Sequence, residues 1–77
     1  MKYLLLKLAE EAGEVVVAAI KHRIHGTAAT RDELERECGD VVAMIRHLCE
    51  VKGFSHMRIE QHCKARYARE AKRIKNA

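Results

Sequence analysis

Apolar positions along the chain recur every three or four residues, and no stretch sustains the period-two alternation of a half-buried strand. Leu4, Leu8, Glu11, Val15 and Ala18 mark one stripe, which predicts a first helix from about Lys2 to about Arg23. Gly26 follows, at a place where helices commonly stop in the left-handed conformation. Leu34, Cys38, Val41, Ile45 and Leu48 alternate spacings of four and three and predict a second helix ending near Gly53. The run Thr30-Arg31-Asp32-Glu33 fits a capping box at its start, with the Thr30 hydroxyl on the backbone and Glu33 reaching back. Ser55 can cap a third helix, whose expected face holds Ile59, Cys63, Tyr67 and Ile74. The fold class expected is all-α: a helical hairpin plus a third helix, one domain over 1–77 with a basic end at 68–77 prone to fray.

Composition turns this pattern into a question about stability. The chain has 77 residues, no proline, no tryptophan and 4% aromatics, so its core must be aliphatic. A domain this short buries only about 60% of the surface its unfolded chain exposes. The usual compensations are disulfides, a metal or a partner subunit. Cys38, Cys49 and Cys63 cannot all pair and lack a disulfide-framework spacing, so they are expected to be reduced core thiols of a cytoplasmic protein. A metal or a partner remains. The longest apolar run, Val15 to Ile20, is far too short to span a membrane, and the first residues lack the features of a signal peptide. A soluble protein with no membrane partner is expected.

The formal net charge of +4 is unevenly spread. Residues 1–53 hold eight Lys/Arg against nine Asp/Glu, whereas residues 54–77 hold seven against two. The body is slightly acidic and the tail is basic.

Within the acidic body a short motif occurs twice. Glu11-Ala12-Gly13-Glu14-Val15-Val16 returns 26 residues later as Glu37-Cys38-Gly39-Asp40-Val41-Val42. Glycine inside a helix costs about 1 kcal/mol relative to alanine, so its double placement suggests close approach of another element or of a ligand. Residues three apart share a helix face, which pairs Glu11 with Glu14 and Glu37 with Asp40 beside the apolar stripes. If the two helices pack as an antiparallel hairpin, the pairs face each other. Four acids losing hydration together cost several kcal/mol per ion unless a positive charge sits among them. No lysine or arginine interrupts either motif. A hard divalent cation is the expected compensator, and an all-oxygen set suits Mg²⁺, with Mn²⁺ as a substitute.

Glu10-Glu11-x-x-Glu14, a spacer of 22 residues, then Glu37-x-x-Asp40 resembles the motif of the MazG-like, all-α nucleoside triphosphate pyrophosphohydrolases. The likeness runs from about Leu5 to Tyr67. It implies Mg²⁺-dependent cleavage of an NTP or dNTP between its α and β phosphates, giving the monophosphate and pyrophosphate. By the same resemblance Glu11, Glu14, Glu37 and Asp40 would be metal ligands, and Glu10 would be an accessory catalytic carboxylate orienting a ligand or the attacking water. Lys64 and Arg66, in the basic third helix, would contact substrate phosphates. The early third helix departs from the family pattern, with Ile59-Glu60-Gln61-His62 where many relatives carry an asparagine and a lysine. Assembly as a homodimer or homotetramer into a four-helix-type bundle is expected.

Two alternatives stand beside this reading. Phosphoribosyl-ATP pyrophosphohydrolase of histidine biosynthesis has a similar pair of carboxylate helices, with a shorter spacer. In another class, the chain would be a non-catalytic helical dimer, nucleic-acid-binding or regulatory. The third helix offers only Tyr67 for stacking on bases, so nucleic acid is not the expected partner. A di-iron bundle would need Glu-x-x-His pairs, and none occurs. Zinc on His22-x-x-His25 would have to borrow a distant cysteine, Cys38 or Cys49.

Overall fold

Two glycines and two hydroxyl caps punctuate the chain into three helices. A computed structural model describes residues 2–76, with α1 over Lys2–His25, α2 over Ala28–Lys52 and α3 over His56–Asn76. Gly26 ends α1 at φ 60°, its N–H donating to the His22 carbonyl at 2.8 Å. Gly53 ends α2 at φ 69°, and the Phe54 N–H returns to the Leu48 carbonyl at 3.4 Å. Both are left-handed stops that a side chain would strain. At the start of α3, Ser55 Oγ accepts from the Arg58 N–H at 3.1 Å, as its position suggested.

The capping box lies three residues earlier than the sequence pattern indicated. Thr27 is the N-cap, its hydroxyl accepting the Thr30 N–H at 3.2 Å, while Thr30 Oγ1 accepts the Thr27 N–H at 3.1 Å. Thr27-x-x-Thr30 and Thr30-x-x-Glu33 are overlapping frames for the same device. The first prevails because Ala28 and Ala29 are strong helix formers with no reason to stay outside the helix. Thr30 is also fixed from α1, where His22 Nδ1 lies 2.8 Å from its hydroxyl.

The short connection folds α1 and α2 into an antiparallel hairpin, which holds nearly all the contacts between elements. Its seam contains Leu4, Leu8, Glu11, Val15 and Ala18 from α1, and Leu34, Glu37, Val41, Met44, Ile45 and Leu48 from α2. Cys38 was expected on that seam but is exposed, and Glu37 takes the inward position. Among the described residues only Ala18 and Leu48 are fully buried. The molecule measures 38 × 28 × 15 Å. With so few residues buried, the interior is a seam between two helices and not an enclosed core.

α3 makes next to no contact with the hairpin and continues as helix through the basic stretch to Asn76. Cys63 and Tyr67, expected to be core, are exposed, as is Ile74; Cys49 is half-buried. The reason is physical: the apolar face of α3 has nothing within the chain to pack against. A second exposed apolar stripe runs along α1 through Tyr3, Leu6, Val17, Ile20 and Ile24, opposite its seam. No described helix is long and apolar enough to cross a membrane.

Candidate metal centre and active site

The hairpin brings the two copies of the repeated motif together. Glu11 and Glu14 lie one turn apart on α1, and Glu37 and Asp40 one turn apart on α2. One carboxylate oxygen from each of the four lies within 4.8 Å of all the others. Glu11 and Glu37 are half-buried in the seam, while Glu14 and Asp40 are exposed beside it. The inner pair is the informative one. Oε2 of Glu11 and Oε2 of Glu37 are buried and have no hydrogen-bond partner. The Glu37 side chain is only 13% exposed. A buried carboxylate oxygen without a hydrogen-bond donor is costly, and four carboxylates at one point repel one another.

Proton affinities register that stress. The Glu11 pKa is raised above its ordinary value, first by burial and then by the charges of Glu14 and Asp40. The Glu37 pKa is raised first by its side-chain contact with Glu14, then by burial and by Glu14 and Asp40 as charges. Lys7 and Arg36 pull the other way without cancelling the effect. Glu11 and Glu37 therefore hold protons more tightly than ordinary glutamates do. A hard divalent cation meets the same demand, and its preference for several oxygens matches this donor set. The residues present fit such an ion.

Beside the cluster lies an open groove of about 430 Å³ lined by Glu10, Gly13, Glu14, Val17, Glu33 and Glu37. Glu10 is thus at the site but outside the four-carboxylate cluster, and the Lys7 ammonium holds it at 3.3 Å. A Cβ on Gly13 or Gly39 would meet nothing within 4 Å, so no element of this chain presses on either glycine. At Gly13 the backbone instead forms part of the groove wall. A larger hollow of about 610 Å³ at the α1–α2 connection, lined by His22, Arg31, Asp32 and Glu35 among others, has no comparable set of converging oxygens.

The structure does not bring Lys64 and Arg66 to the carboxylates within one chain. Both sit on α3, neither lines the groove, and Arg66 Nη2 is engaged by Glu70 at 3.1 Å. Three cations that sequence reasoning did not single out are at the site. Lys7 holds Glu10, Lys21 reaches Glu33 across the helices at 3.4 Å, and Arg36 Nε lies 4.0 Å from Glu37 Oε1. Lys7 was readable, because it stands three residues before Glu10 and four before Glu11. The Lys21–Glu33 pair depends on the register between two helices, which no local pattern discloses.

No curated protein and no solved structure gives a significant match to this chain. The family described as the MazG nucleotide pyrophosphohydrolase domain does, over residues 1–75. That span contains both carboxylate helices, the groove and all but the last residue of α3. With nearly its whole length matched, the chain belongs to the MazG nucleotide pyrophosphohydrolase family.

Proposed function

We propose that the protein hydrolyses a nucleoside or deoxynucleoside triphosphate to the monophosphate and pyrophosphate, with Mg²⁺ held by Glu11, Glu14, Glu37 and Asp40. The observation that carries the reading is the pair of buried, partnerless oxygens of Glu11 and Glu37 inside a cluster of four acids. An all-acid centre with orphaned inner oxygens is stable only with protons or a cation in it, and phosphoric anhydride chemistry needs the cation. When bound, the ion supplies positive charge against the phosphate oxygens as negative charge builds on them.

The chain's own groups would share the remaining work. Glu11 and Glu37, fixed in the seam, set where the centre lies, and Glu14 and Asp40 close it from the solvent side. Glu10 stands at the groove in reach of water and is held in place by Lys7; it orients the attacking water and accepts its proton. One water enters, the bond between the α-phosphorus and the bridging oxygen breaks, and pyrophosphate leaves with that oxygen. Open space over Gly13 leaves room for substrate against the α1 backbone.

A second copy of the chain would cover the apolar surface that one chain leaves bare. The stripe of Tyr3, Leu6, Val17, Ile20 and Ile24 on α1 and the exposed face of α3 fit a homodimer or homotetramer with a four-helix-type core. Such an assembly would offer Lys64 and Arg66 a route to a neighbour's groove as phosphate contacts. Three free thiols and a nucleotide substrate suit the cytoplasm.

The test is a product assay over ribo-, deoxy- and modified nucleoside triphosphates, with phosphoribosyl-ATP included. Equal amounts of monophosphate and pyrophosphate, formed only with Mg²⁺ or Mn²⁺, are expected from at least one triphosphate. Turnover of phosphoribosyl-ATP alone would move the assignment to that enzyme, and no turnover of any compound would refute it.

A further inference from the structure

The groove presents a charge problem that the four-carboxylate centre does not solve alone. Four of its six lining residues are acids, Glu10, Glu14, Glu33 and Glu37, and none is a cation. A triphosphate entering it brings several more negative charges. Among the described residues of one chain, positive charge reaches the groove from its rim, where three cations each stand against one of those acids. Lys7 meets Glu10 at 3.3 Å, Lys21 meets Glu33 at 3.4 Å and Arg36 meets Glu37 at 4.0 Å.

The three pairs are not equivalent. Lys7 and Lys21 hold acids that lie outside the metal set, so binding a cation leaves both pairs intact. Of the three, Arg36 is the one in direct contact with a carboxylate that the cation would engage, Lys7 acting on Glu11 through its charge without an ion pair. Its contact is the longest of the three, and its side chain is 68% exposed, which leaves the guanidinium free to turn. Among these cations it is also the one with a planar fork of donors that matches two phosphate oxygens at once.

We infer that Arg36 is a phosphate-contacting residue of this hydrolase, screening Glu37 in the free centre and turning to the substrate's phosphate oxygens once Glu37 is engaged. The inference rests on the metal reading given above. It carries an unusual signature, because a positive charge at this spot opposes the cation and favours the anion. Removing it should move the two affinities in opposite directions. A residue that merely supports the helix would weaken both, and a spectator would change neither.

The experiment is calorimetric titration of the full chain with Mn²⁺, followed by titration of the Mn²⁺-saturated protein with inorganic pyrophosphate. For Arg36→Gln, Mn²⁺ should bind about two- to fivefold more tightly, from the loss of a like charge about 4 Å from a ligand. Pyrophosphate should bind on the order of tenfold or more weakly, the scale of one charge-assisted hydrogen bond. Arg36→Lys should recover part of the pyrophosphate affinity, since it restores charge but not the fork. In turnover, Arg36→Gln should raise KM for the triphosphate. Unchanged pyrophosphate affinity in Arg36→Gln, or a parallel loss of both affinities, would overturn the inference while leaving the metal centre standing. Failure of the unsubstituted protein to bind Mn²⁺ would overturn the metal reading and this inference with it.

Discussion

The α1–α2 hairpin and α3 are helices of similar length that solve opposite problems. The hairpin buries its seam and places two half-buried acids in that seam at the expense of stability. α3 buries nothing, carries a surplus of positive charge and leaves Met57, Tyr67 and Ile74 in solvent. The hairpin has enough contact to hold a strained site within one chain. α3 has amphipathic character with no surface in its own chain to use it on. The contrast teaches that the two kinds of surface are divided along the sequence: the first 53 residues gather the carboxylates, and the last helix keeps an apolar face that no described residue of the chain covers.

The sharpest way to break this division is to remove a carboxylate without changing its shape. Glu14→Gln or Asp40→Asn should lower turnover by at least about a hundredfold, as loss of a direct metal contact exceeds the usual cost of disturbing its surroundings. Circular dichroism should show unchanged helix content, since both side chains are exposed. Retained activity in both variants would place the chemistry elsewhere.

A second difference is expected in pH dependence. The raised pKa values of Glu11 and Glu37 mean that, without metal, the folded hairpin holds more protons than the unfolded chain between the ordinary glutamate value of 4.5 and the raised ones. Stability then falls as pH rises through that window, and below it the penalty is absent because both states are protonated. Mg²⁺ at saturation offsets the loss above the window. Thermal melts from about pH 4 to about pH 8, with and without Mg²⁺, check the sign. Metal-free stability that rises across this range would contradict the picture of a stressed centre.

Packing gives the next largest contrast. Leu48 is 3% exposed, so Leu48→Ala should cost about 2–4 kcal/mol in denaturant unfolding. The cap variant Thr27→Ala should cost about 1 kcal/mol, because the Thr30 N–H loses its hydroxyl acceptor while the Thr30 hydroxyl keeps the Thr27 backbone and His22. Ile74→Ala should cost within about 0.5 kcal/mol at protein concentrations where the chain is monomeric. At higher concentration it should weaken self-association, read by sedimentation. If Ile74→Ala is as costly as Leu48→Ala in the monomer, α3 is not the free element described here.

What could be read in the sequence follows the same boundary. Helix existence and the pairing of Glu11 with Glu14 and Glu37 with Asp40 are matters of local periodicity, and they were legible. The start of α2 was misplaced because two threonines three residues apart and a glutamate three further on satisfy the same capping rule twice. Cys38 was assigned inward because apolar spacing does not distinguish a thiol from the carboxylate beside it, and the hairpin turned Glu37 in instead. Cys63 and Tyr67 look like core residues because the pattern of α3 is complete; what is missing is the surface that covers them. Arg36 was invisible because neighbours on a helix point about 100° apart, and only a long guanidinium reaches back to Glu37.

The central claim is that the four carboxylates form one cation site whose inner members are Glu11 and Glu37. Calorimetric titration of the metal-free protein with Mg²⁺, alongside the double variant Glu11→Gln with Glu37→Gln, tests it most directly. Saturable binding by the unsubstituted protein, lost in a double variant that remains helical, is the predicted result. No binding by the unsubstituted protein, or equal binding by both, would contradict it.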